Sequence, residues 1–126
     1  MTSHKQTWIK ANTHVDNGVA NLVGALCQFA CLRTIESCQQ EPPQGPWVCF
    51  EYGEDGPEGW RDLAEFVLGY FGGALYRQVG DRATVSIVIG GGGRPHAELS
   101  VRDGAAQLVS REIRNLARGF SQRGRP

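Results

Sequence analysis

Three stretches of this chain carry apolar residues at helical spacing on one side only, and that repetition limits the folds open to it. Val19, Leu22, Val23, Leu26, Cys27 and Ala30 form the first stripe. Trp60, Leu63, Ala64, Val67, Leu68 and Phe71 form the second, and Ala106, Val109, Ile113, Leu116, Ala117 and Phe120 the third. Recurrence at i, i+3, i+4 and i+7 marks a helix that must bury one face against another layer. Between the stripes lie extended runs: one ending Thr34-Ile35-Glu36-Ser37-Cys38, then Trp47 to Tyr52, Leu75 to Val79, Arg82 to Ile89 and His96 to Val101. The expected order is α-β-β-α-β-β-β-α. Turns rather than helices join most neighbouring strands, so the pattern predicts an α+β two-layer sandwich, a mainly antiparallel sheet with three helices on one face.

Local signals place the boundaries. Asp16 is positioned to cap the first helix, and Asp55-Gly56-Pro57-Glu58 reads as the start of the second. Gly72-Gly73 reads as its stop and Gly80-Asp81 as a tight turn between two strands. The loop Gln39 to Pro46, with Pro42-Pro43 and Gly45, separates the first two strands into a long-tipped hairpin. Both faces of Trp47 to Tyr52 are largely apolar, which predicts a strand that is central or covered on both sides. Gly90 to Gly93 reads as a hairpin loop, because it lacks the strand-to-helix context and the Lys-Ser/Thr of a phosphate-binding loop.

At 126 residues, with 40% hydrophobic and 21% charged content, the chain fits a single globular domain over 1–126 with frayed ends near 1–12 and 121–126. No apolar run approaches the roughly 18 residues that suggest a membrane span. Formal net charge is zero, which argues against a dedicated nucleic-acid binder. The sum conceals an acidic middle, Glu51 to Glu65, and a basic C-terminal stretch from Arg111 onward, the pattern of solvated surface charge. Met1 to Asn12 carries no apolar signal-peptide core, so the cytoplasm is the expected compartment and the four cysteines are expected as reduced thiols.

The candidate site lies where the first hairpin hands over to its loop, with Arg33, Glu36, Ser37, Cys38 and Trp47 as binding residues. Cys38 would be a nucleophile only if a base such as His96 or His14 reached it, with Glu36 as orienter. Otherwise it is a small residue closing a strand. Glu36 and Gln39-Gln40 are costly to bury and predict partial exposure of Cys38, whereas the helical stripe places Cys27 inside. Cys27, Cys31, Cys38 and Cys49 lack the paired spacing of a zinc site, so no metal is expected. His96 alternates with Glu98 and Ser100 on a polar strand face. Trp60 and Phe71 fall on the core stripe, leaving Trp47 as the aromatic open to a ligand.

Asp16, the apolar helix after it, Thr34, Ser37-Cys38 and the strand from Trp47 resemble a pattern in uncharacterised bacterial and phage proteins with a T-x-x-S-C motif. The same residues, roughly a third of the chain, are similar to the N-terminal part of the tRNA wybutosine-synthesis methyltransferase family. That resemblance implies S-adenosylmethionine and a guanosine in tRNA. Thr34, Ser37 and Cys38 match the family motif, whereas Glu36 and Gln39-Gln40 replace its small residues and glycine, and its closing arginine is missing.

Three functional readings are open. The first is a small domain binding a partner or small ligand near the Ser37-Cys38 strand end, its cofactor unspecified. The second is a nucleotide- or tRNA-modifying enzyme. The third is a structural homo-oligomer held by apolar strand faces without a pocket.

Overall fold

The computed structural model describes residues 17–39, 44–53, 59–90 and 93–122. Helix α1 spans Asn17–Leu26, strand β1 Leu32–Cys38 and strand β2 Trp47–Tyr52. A long helical element, α2, comes next as three consecutive segments: Gly59–Phe66, a π-helical turn Val67–Phe71, and Gly72–Val79. Strand β3 is Ala83–Gly90, β4 is Gly93–Val101, and helix α3 is Ala106–Gln122. Each strand pairs antiparallel with its neighbours in the order β1-β2-β4-β3. The expected α+β architecture is therefore observed, with β2 in a central position as its two apolar faces suggested.

Directly opposed residues lie on one face of a sheet, so the register sorts every side chain. Leu32, Tyr52, Phe50, Val48, Ala97, Leu99, Val101 and Ala83 share the helix-covered face, and all are buried in the core. From the helices Val19, Leu22, Leu26, Leu63, Val67 and Ile113 join the same core, with Leu116 partly buried against it. Phe66 is a hub: it stacks on Tyr52 with ring centroids 4.0 Å apart, stacks on Phe71 at 5.3 Å, and meets Phe29 and Phe120 edge-on at 5.0 and 5.7 Å. Such contacts join β2, α2, α3 and the chain after α1 through one set of rings.

The second half of α2 departs from the expectation. Leu75 to Val79 is helix, not strand, so the order is α-β-β-α-β-β-α with one strand fewer than expected. Nor does Gly72-Gly73 stop the helix. The Gly72 N–H donates to the Val67 carbonyl five residues back, the pattern of a π-bulge. A Cβ on Gly72 would lie 2.9 Å from that oxygen, so glycine is what lets this turn close. The extra residue rephases the apolar stripe: Phe71, Ala74, Leu75 and Val79 are buried, and their burial offsets the roughly 1 kcal/mol that each helical glycine costs. The helix ends instead at Gly80, whose φ of 64° no other residue adopts cheaply, with the Arg82 side chain donating to the Val79 carbonyl at 3.0 Å.

Several boundary expectations, among them Asp16, Asp55-Gly56-Pro57-Glu58, residues 40–43 of the Gln39 to Pro46 loop and Gly91-Gly92, lie outside the described residues. A described residue serves the first turn of α1: the Gln39 side-chain oxygen accepts from the Val19 N–H at 3.0 Å. Helix α3 continues through Ser121 to Gln122, slightly beyond the expected fray. Among the described residues, no helix is long and apolar enough to cross a membrane.

Candidate functional site

The hairpin residues singled out from sequence do not form one cluster. Arg33, Glu36, Cys38 and Trp47 lie on the sheet face turned away from the helices, whereas Ser37 is opposite Val48 on the helix-covered side. On the outer face, Cys38 heads a cross-strand row with Trp47, Ser100 and Thr84, and Glu36 heads the next with Cys49, Glu98 and Ser86. A bulge between Thr34 and Glu36 makes room for Ile35, which is exposed.

Cys38 is only 7% exposed, against the expected partial exposure. Its strand position next to Trp47 decides this, and the polar residues around it do not have to accompany it inward. Cys27, expected inside, is exposed, as is Cys31. The buried side of α1 runs through Val19, Leu22, Ala25 and Leu26 to Phe29, and Cys27, whose N–H donates to the carbonyl of the half-buried Val23 at 3.0 Å, falls beyond its margin. His96 is on the same face as Cys38 but four residues along β4 from Ser100 and two strands away. Strand rise and spacing put the two about 16 Å apart, too far for His96 to serve Cys38 as a base.

Cys49 shows how this face behaves electrostatically. Burial pushes its thiol up to about 11, and the flanking carboxylates of Glu98 and Glu36 push in the same direction. The cross-strand row explains the geometry: Cys49 lies between those two residues. A thiol held protonated is a poor nucleophile and a poor metal ligand. Among the described residues, no three His, Cys, Asp or Glu side chains are grouped to hold a metal. Farther along the face Glu51 bridges Arg33 at 3.3 Å and Arg94 at 3.6 Å, and Arg33 also donates to the Gly53 carbonyl at 2.6 Å. These charges compensate one another.

A different surface stands out at the other edge of the sheet. Between α2 and β3 runs a cavity of about 550 Å³, walled by Trp60, Ala64, Val67 and Leu68 on one side and by Val85, Ile87, Ile89 and Pro95 on the other. It continues into a cleft of about 330 Å³ where Gly72, Gly73 and Tyr76 face Ala83 and Thr84. The two share Val67, Leu68 and Val85. Leu68 is 76% exposed, Ile89 75%, Tyr76 65% and Trp60 53%. Of the six large hydrophobic residues exposed among the described residues, these four and Val88 belong to α2 and β3, and Ile35 alone lies elsewhere. A smaller cavity of about 230 Å³ near Asp62, Glu65, Tyr70 and Phe120 is more polar.

Helical periodicity assigned Trp60 and Leu68 to the core stripe, and strand alternation set Ile89 on one face with Ala83, Val85 and Ile87, so pattern alone missed this surface. One signal was present: Ala83 to Gly90 contains no charged residue, whereas β1 carries Arg33 and Glu36. Charges and bulges protect exposed strand edges from unwanted pairing, and only β1 has both. Comparison with protein-family models, with curated proteins and with solved structures returned no match.

Proposed function

We propose that this chain is a protein-interaction domain, with its contact surface formed by the edge of β3 that no other described strand pairs with and the apolar cleft beside it. The carrying observation is the continuity of that surface: Trp60, Leu68, Tyr76 and Ile89 are exposed along one edge, beside a strand without charges. Monomeric proteins seldom leave such a patch open without using it. An unpaired strand edge next to an apolar groove offers main-chain hydrogen bonds for affinity and side-chain pockets for selection.

The reading centred on Arg33, Glu36, Ser37, Cys38 and Trp47, whether as ligand site or as tRNA-modifying centre, has less support. Its thiol is buried, His96 is distant, His14 lies outside the described residues, and Arg33 is paired with Glu51. A cytoplasmic setting belongs to the proposal as well, supported by four free cysteines in a chain whose fold does not use disulfides.

A photo-crosslinking amino acid placed at Leu68 tests the reading in living cells, with one at the exposed Gln107 of α3 as control. Leu68 should give a covalent adduct with a protein chain, either another protein or a second copy, and Gln107 should not. Equal or absent crosslinking at the two positions would sink the proposal.

A further inference from the structure

Resting on that reading, we infer that the partner at this surface is a second copy of the same chain, joined by antiparallel pairing of β3 with its counterpart into one continuous eight-stranded sheet. A two-fold axis perpendicular to the sheet makes such pairing self-complementary and sets the α2 helices of both copies on the same face, flanking the seam.

Three observations favour self-pairing over an unrelated occupant. About a two-fold axis only residues near the middle of the strand meet their own counterparts, so a charge there would face its like. The Ala83–Gly90 strand has no charge to be repelled. The protective devices expected of a solvent-facing edge are present on β1, with Arg33, Glu36 and a bulge in mid-strand. On β3 the irregularity is confined to its end, between Val88 and Gly90. Finally, Trp60, Leu68, Tyr76 and Ile89 each expose more than half of their surface along this edge, several hundred Å² of mostly apolar area, a large share of the roughly 800 Å² per partner of a standard interface before any edge backbone is counted.

Sedimentation equilibrium of the purified full chain tests the inference, with circular dichroism as a check on folding. The wild type should sediment at twice the chain mass at micromolar concentration. Leu68→Lys combined with Ile89→Lys should raise the dissociation constant by at least about 100-fold, since it sets charges in a desolvated seam. Thr84→Lys, at an exposed β3 position, should weaken association in the same direction and decides the matter if the double variant fails to fold. A wild type that stays monomeric up to the highest soluble concentration would overturn self-pairing, as would a dimer indifferent to these variants. If the monomeric protein is nevertheless crosslinked from Leu68 to a different protein, self-pairing falls while the interaction-domain reading stands. A monomer with no crosslink removes both.

Discussion

The Gln39 side-chain oxygen accepts a hydrogen bond from the backbone N–H of Val19 at 3.0 Å, joining the end of β1 to the first turn of α1 across 20 positions of sequence. The first amides of a helix have no partner within it, and here a residue from the far end of the next strand supplies one. Gly18 keeps the approach open: a Cβ there would lie 3.3 Å both from that oxygen and from Ala106 of α3. One side chain thus fixes how the first helix meets the sheet.

Replacing that acceptor should be felt across the domain. Gln39→Ala is expected to cost about 1 kcal/mol, the net worth of one hydrogen bond to a partly buried amide. In urea denaturation the midpoint should fall with an unchanged slope. Gln39→Glu keeps an acceptor and adds negative charge at a helix N-terminus, so it should recover most of the loss.

Cysteine chemistry gives a second check. Under native conditions Cys27 and Cys31 should be alkylated quickly and Cys38 and Cys49 slowly, read by mass spectrometry of peptides after timed quenching. Fast labelling of Cys38 would contradict its burial beside Trp47.

The raised Cys49 thiol predicts a pH dependence of stability. In the unfolded chain this thiol titrates near 9.0 and in the fold at about 11, so the unfolded state releases its proton first. The contribution is fully present below pH 9 and is lost as pH rises from about 9 to about 11. Urea midpoints should therefore fall more steeply through that interval for the wild type than for Cys49→Ala, and Glu98→Gln should narrow the window.

Two glycines in the π-helical region of α2 should respond oppositely to alanine. At Gly72 the added Cβ would meet the Val67 carbonyl at 2.9 Å, so the variant must distort the turn and lose stability, by about 1 to 3 kcal/mol. At Gly69 nothing lies within 4 Å, and alanine should stabilise the helix by up to about 1 kcal/mol. Thermal melts of the two variants side by side suffice.

Ser110 of α3 is buried, and its hydroxyl has no hydrogen-bond partner. An unsatisfied buried polar group is destabilising, and alanine is the better helix former. Ser110→Ala should raise stability by about 1 kcal/mol, measured by urea denaturation.

Local periodicity by itself determined that α1 and α3 are helices, that β1 and β2 form a hairpin, and that the chain builds a one-sided sheet covered by helices. Those features depend on spacing that any window of the sequence displays, such as Val109, Ile113 and Ala117 on one stripe or Ala83, Val85 and Ile87 on one strand face. The conformation of the chain beyond Phe71 was decided by tertiary structure. Leu75 to Val79 is too short to distinguish a strand from a helix by pattern, and the bond from Gly72 to Val67 that carries the helix through two glycines is closed only when the core buries Leu75 and Val79. The same holds for the surfaces. Cys38 is buried by its place in the sheet, and Trp60, Leu68 and Ile89 are left open because the sheet ends at β3 and no described element of this chain packs beyond it. Periodicity reports which residues share a face, but burial depends on what packs against that face, and strand order alone decided that.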